Sequence, residues 1–329
     1  MKPILEVKNL SLNLNLTKPI PILLNLDFQI LESEIFSLVG ESGCGKSLTS
    51  LALTRLLPEK QFSFLEGEVN YKNTNILKVS NEHLQKLRGK EIAYIFQDPF
   101  VSLNPLLKIK DQIIESYLLH ISNNQKEAIE KAEFILDTIG ITDLKTRLDN
   151  YPNQLSGGML QRVCIAMALM CDPKLLIADE PTSALDVTIQ SQLIELLLKI
   201  QSDTKMSILF ISHDLPLVSN ISNRMAVMYA GQIVEMGVSQ KIISSPSHPY
   251  TNALIQSIPN QKNKKKKLEV IDGIVPSPKD YPQGCHFYQR CNFRLDRCMN
   301  SKPNTYTINK QQQVACFLKE KKSVKSKKS

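Results

Sequence analysis

An apolar run, Ile35-Phe36-Ser37-Leu38-Val39, leads straight into Gly40-Glu41-Ser42-Gly43-Cys44-Gly45-Lys46-Ser47, and Leu48-Thr49-Ser50-Leu51-Ala52-Leu53-Thr54 then reads as helix. Strand, glycine-rich loop and helix in that order are the context that a phosphate-binding loop requires. The glycines let successive backbone N–H groups turn toward one anion, and the helix N-terminus adds its dipole. The pattern therefore predicts that residues 40–48 cradle a nucleoside triphosphate. Lys46 is placed to reach the β- and γ-phosphates, and the Ser47 hydroxyl to ligate Mg²⁺. A chance glycine turn entering a helix is the competing explanation. It does not account for all four fixed positions being filled between the right flanks.

Such a loop sits in an α/β fold, and the rest of the chain reads accordingly. Residues 3–14 and Phe64-Leu65-Glu66-Gly67-Glu68-Val69-Asn70-Tyr71 alternate in polarity, as half-buried strands do, and form an expected antiparallel flank. Buried strands are expected at 91–96, 175–178 and 207–211, the last taken as the final core strand. No strand pattern appears between Pro105 and Leu155, which predicts an inserted helical layer over about 98–165. Ser156 suits a helix N-cap. Leu175-Leu176-Ile177-Ala178 ends in Asp179-Glu180, the arrangement of a carboxylate holding Mg²⁺ opposite Ser47 and a neighbour able to take a proton from water. His213 follows a strand in the same way, which favours a γ-phosphate contact over a surface histidine.

Charge narrows the partners. The net charge is +8, but five lysines at 262 and 264–267, and six against one glutamate in 319–329, carry more than all of it. The folded body is thus slightly acidic, and a basic nucleic-acid groove across it is not expected. Polar residues interrupt every N-terminal apolar run, and no apolar stretch approaches the ~20 residues that span a bilayer. A membrane role would have to be peripheral or through a partner. Four of the seven cysteines fall after residue 284, spaced C-x₅-C-x₆-C-x₁₇-C at Cys285, Cys291, Cys298 and Cys316. Metal binding is the expectation for them in a reducing compartment, and the spacing alone fits either an iron–sulfur cubane or zinc. Cys44, Cys164 and Cys171 read as packing residues.

With Leu155-Ser156-Gly157-Gly158-Met159 added, five motifs fall in the order found in the ATP-binding subunits of ABC transporters, which the chain resembles over about residues 3–318. The resemblance implies that Ser156, Gly157 and Gly158 bind the γ-phosphate of ATP held by an opposing subunit. It makes Gln97 the residue that senses Mg²⁺ and water, Asp186 part of the loop facing the second subunit, Glu180 the general base and His213 the switch histidine. Gln97-Asp98-Pro99-Phe100-Val101-Ser102-Leu103-Asn104-Pro105 and Ser247-His248-Pro249-Tyr250-Thr251 resemble the dipeptide, oligopeptide and nickel branch. That branch implies a [4Fe–4S] cluster at the four cysteines and two permease subunits. It also implies a second, paralogous ATPase and an extracytoplasmic solute-binding protein, with the chain on the cytoplasmic face of the membrane. The sequence departs from the family at Leu14, near which the usual adenine-stacking aromatic is missing, and at Leu160, where a basic residue is usual. The expected organisation is an ATPase domain over 1–258, a cysteine-bearing extension over 259–318 and a basic tail over 319–329. Peptide import is the expected function. Nickel or antimicrobial-peptide cargo, and a soluble ATPase acting on nucleic acid or ribosomes, are the rivals. A single P-loop and the lack of a long heptad run speak against the soluble rival.

Overall fold

The computed structural model describes residues 2–183, 185–258 and 271–320. The lysine-rich junction at 262–267 and most of the basic tail lie outside the described residues. The described strands, in chain order, are β1 Pro3–Leu14, β2 Ile20–Leu31, β3 Ile35–Val39, β4 Phe62–Tyr71, β5 Thr74–Asn75 and β6 Ile92–Ile95. They continue with β7 Leu175–Asp179, β8 Ser207–Ser212, β9 Arg224–Tyr229, β10 Gln232–Val238, β11 Tyr306–Asn309 and β12 Gln312–Val314. They make a four-stranded sheet, β2-β1-β4-β5, and an eight-stranded sheet, β11-β12-β10-β9-β3-β8-β7-β6. From β9 to β6 the large sheet is parallel, and β10, β12 and β11 add to it antiparallel.

Every residue of β3, β7 and β8 is buried, as strands covered on both faces must be. Their side chains alternate between two cores. Phe36, Leu38, Leu175, Ile177, Leu209 and Ile211 pack against the antiparallel flank, with Leu5, Val7, Leu10 and Phe28. Val39, Leu176, Ala178, Ile208 and Phe210 face the helices on the other side. Every regular element between β6 and β7 is a helix. The longer ones are Gln125–Thr138, capped by the Asn124 side chain, and Gly157–Leu169, capped by Ser156. Leu160, at the position where the family usually has a basic residue, is fully buried in that second helix.

The strand ending at Ser212 is not the last of the core. β9 lies parallel beside β3 and hydrogen-bonds along it, with Met225, Ala226, Val227 and Met228 all buried. An unbroken apolar run has neither the strand nor the helix period, so it carries no pattern to read.

The cysteine-bearing segment does not stand apart from this body. β12 pairs with β10 through Glu235↔Val314, Met236↔Gln313 and Gly237↔Gln312. Glu235 is 1% exposed. Its carboxylate accepts from the Ser247 and His248 backbone N–H groups and from Gln312 Nε2, at 2.8, 2.9 and 2.6 Å. Phe287 packs on Tyr229, Tyr250 and His248, with ring centroids 5.2, 5.3 and 5.8 Å apart. Burial pushes the His248 imidazole down to about 3, so it is neutral, and its Nδ1 accepts from the Tyr250 N–H. The hairpin comes so close to β10 that a Cβ on Gly237 would lie 2.2 Å from the Gln311 carbonyl oxygen. Gly237→Ala must therefore force the hairpin off the sheet edge, at a cost of about 1–3 kcal/mol. Thermal melting should report the loss, and limited proteolysis should show faster cleavage within 271–320.

Candidate active site

The loop at 40–47 joins β3 to the helix Lys46–Leu53, whose N-cap is Gly45 in the left-handed region at φ 107°. A Cβ at Gly40 would meet the Met228 carbonyl oxygen at 2.3 Å, so only glycine fits where β3 enters the loop beside β9. Leu48 is the third residue of the helix, and its N–H belongs to the unpaired first turn. The loop curls around its own lysine. Lys46, 4% exposed, donates from Nζ to the Gly40 and Glu41 carbonyls at 2.9 and 3.1 Å. The same ammonium lies 3.8 Å from Glu180 Oε1.

Because β3, β6, β7 and β8 are parallel, their carboxyl ends share one edge of the sheet, and polar residues at those ends meet there. Ser47 Oγ donates to Asp179 Oδ1 at 3.0 Å. The second oxygen, Oδ2, takes the Tyr94 hydroxyl at 3.1 Å, and Tyr94 also bonds Ser50 Oγ at 2.7 Å. Burial raises the Asp179 pKa, and the bonds from Ser47 and Tyr94 work against that rise. Glu180 holds φ at 45°, an unusual conformation for a glutamate, and its side chain is 11% exposed. Glu180 Oε2 is 3.1 Å from His213 Nδ1 and accepts from Gln97 Nε2 at 3.4 Å. Lys46, Ser47, Asp179, Glu180, Gln97 and His213 therefore form one constellation at the sheet edge.

Other residues singled out in the sequence lie elsewhere. Ser156 accepts from the Met159 N–H, and Gly157 and Gly158 open the same helix. Asp186 accepts from the Thr188 and Ile189 N–H groups and caps the helix Val187–Thr204. Among the described residues neither Ser156 nor Asp186 bonds to the loop at 40–47. Tyr94 escaped sequence reading because its polar tip interrupts an otherwise apolar strand and carries no motif. Nor did the sequence give a reason to connect Glu41 with Arg290. The Arg290 guanidinium donates to both Glu41 carboxylate oxygens, at 2.8 and 2.9 Å.

Cys285, Cys291, Cys298 and Cys316 are free thiols lining a single small cavity closed by Phe287 and Phe317. Burial pushes Cys285 up to about 12 and raises Cys291 and Cys316 as well. Among the described residues no three such donors stand close enough to hold one metal ion. Cys44, Cys164 and Cys171 are buried in the body of the protein.

Comparison with known proteins decides the family. The ABC transporter family model matches residues 23–183, and the model of the oligopeptide/dipeptide transporter C-terminal region matches residues 234–298. The oligopeptide transport ATP-binding protein AppD of Bacillus subtilis is 42% identical over 321 residues, covering 97% of this chain and 98% of that one. The chain belongs to the ABC transporter family. The dipeptide transport ATP-binding protein DppD of Haemophilus influenzae is 43% identical over 306 residues, 93% of this chain and 92% of its own. Among solved structures, the dimeric bacterial ABC transporter cassette MJ0796 superposes with a TM-score of 0.64 at 26% identity, covering 71% of this chain and 98% of that one.

This ABC chain is an ATPase, with ATP and Mg²⁺ the expected ligands of its P-loop. Tyr94 bonds from outside to the carboxylate that the sequence offers as a Mg²⁺ ligand, and losing a bond of that kind typically costs 10–100-fold in metal affinity or activity. Tyr94→Phe should raise the Mg²⁺ concentration for half-maximal ATP hydrolysis about tenfold. A magnesium titration at saturating ATP measures it, and an unchanged midpoint would remove Tyr94 from the site.

Proposed function

We propose that this chain binds and hydrolyses ATP to drive a membrane importer of di- and oligopeptides. The observation that carries the hydrolytic part is the placing of Glu180 between Lys46, Gln97 and His213, beside the Ser47–Asp179 pair. The match to the oligopeptide/dipeptide transporter C-terminal region supports the cargo.

In this reading the amides of residues 40–48 and the Lys46 ammonium hold the triphosphate, the lysine exchanging its bonds to the Gly40 and Glu41 carbonyls for phosphate oxygens. Ser47 and Asp179 would hold Mg²⁺, which supplies positive charge against the phosphates. Gln97, bonded to Glu180, would sense that ion. Glu180 accepts the proton of the attacking water as its oxygen bonds to the γ-phosphorus and the bond to ADP breaks. His213 and Gln97 fix the direction of Glu180 and the water. Ser156, Gly157, Gly158 and Asp186 are left free of the loop because they serve the nucleotide of a second ATP-binding subunit. That subunit is proposed to be a paralogue. The relative MJ0796 is itself a dimer bound to ADP and phosphate in one structure.

No described helix is long and apolar enough to cross a membrane. The proposed seat is accordingly peripheral, on the cytoplasmic face, against two permease subunits served by an external solute-binding protein. For the four cysteines we propose a [4Fe–4S] cluster. The four thiols line one cavity, a cubane takes one cysteine on each of its four irons, and the resemblance to the peptide branch favours that cluster over zinc. When present, the cluster would tie Cys285, Cys291, Cys298 and Cys316 into one unit.

Two experiments test the reading. Glu180→Gln protein, captured from native membranes in ATP and without oxygen, should bring down two multi-span permeases and a second ATPase. Ribosomes or DNA-repair proteins in their place would overturn it. Anaerobically purified protein should carry about four irons and four sulfides per chain and lose them in Cys291→Ser. Zinc in their place would favour the alternative metal.

A further inference from the structure

Glu41 is an acidic residue inside a loop that, on the reading above, binds a highly charged anion. A carboxylate there would repel the triphosphate unless its charge were met elsewhere. It is met from the far end of the chain. Arg290 takes both oxygens of Glu41 at 2.8 and 2.9 Å, in the fork geometry that arginine alone offers. The arginine side chain is 6% exposed and that of Glu41 28%.

Arg290 is itself anchored on three sides. It donates to the Ile271, Asp272 and Gly273 carbonyls at 3.3, 2.8 and 3.3 Å. It also lies 5.7 Å from the centre of the Tyr229 ring and donates to that hydroxyl at 3.4 Å. Glu41 is pinned at two further points. Its N–H donates to the Tyr250 hydroxyl at 2.9 Å, and its carbonyl accepts from Lys46. The residue that receives the lysine before phosphate arrives is thus fixed by two side chains from beyond residue 249. Arg290 is also the immediate neighbour of Cys291.

We infer that Arg290 is a positioning residue of the nucleotide site: it neutralises Glu41 and tethers the loop for the triphosphate, so that the cysteine-bearing region helps set nucleotide affinity. This rests on the loop being the ATP site. Without the guanidinium the Glu41 carboxylate faces the phosphates unpaired and the loop loses one tether. The charge part of that loss is reversible by removing the charge itself.

The test measures binding of a non-hydrolysable ATP analogue with Mg²⁺ by calorimetry, and KM and kcat for ATP, in the intact full-length protein. Arg290→Gln should weaken analogue binding about tenfold and raise KM by a similar factor with a smaller change in kcat. Arg290→Lys should fall between it and the wild type, because it keeps the charge without the fork. Adding Glu41→Gln to Arg290→Gln should regain most of the affinity. A merely structural Arg290, holding the carbonyls of 271–273 together, would lower the melting temperature and gain nothing from Glu41→Gln. That outcome, or an Arg290→Gln protein with unaltered affinity, overturns the inference while leaving the ATP reading intact. Wild-type protein that bound no analogue would overturn both.

Discussion

The site depends on where one ammonium group is held. Lys46 is buried at the mouth of the sheet and bonded to two carbonyls of its own loop. It sits within Coulombic reach of Glu180. A buried cation with those partners ties the loop into its curl. The carbonyls that hold the lysine belong to Gly40, where no side chain fits, and to Glu41, which is clamped from outside. The geometry of the loop is therefore imposed by its surroundings as much as by its glycines.

Those surroundings are a product of the sheet. Five parallel strands place their carboxyl ends in one row, and alternating side chains divide their burial between a β-rich and a helical core. Ser47, Gln97, Asp179, Glu180 and His213 come from four different stretches of chain. They meet because the strands preceding them are in register, Val39 opposite Ser212 and Asp179 opposite Ile211. A strand shifted by one residue would turn Asp179 into a core and Ala178 toward the edge.

What the sequence disclosed follows from how local each signal is. The loop at 40–47, the Asp179-Glu180 strand end and the cap at Ser156 are contiguous patterns with a mechanism behind every residue, and each proved to lie on the expected element. β1 and β4 announced themselves by alternation. β9 hid in an apolar run with no period, although it is the strand beside the P-loop strand. Tyr94 and Arg290 left no trace because their meaning is wholly tertiary. Arg290 finds its carboxylate 249 positions away. The crowding of four cysteines was visible, but spacing could not tell that Phe287 beside them would plug into the main core.

The pairing of β12 with β10 also bears on how the protein is made. Synthesis delivers β10 some seventy residues before the strand that covers it, so the nascent chain carries an open sheet edge until residue 314 has emerged. An exposed edge is a template for pairing with another chain. The buried acceptor Glu235 lies on that edge, and until Gln312 arrives it has only its backbone donors. A buried-side carboxylate on an open strand disfavours pairing with a foreign chain, and Glu235 holds that place until Gln312 donates to it.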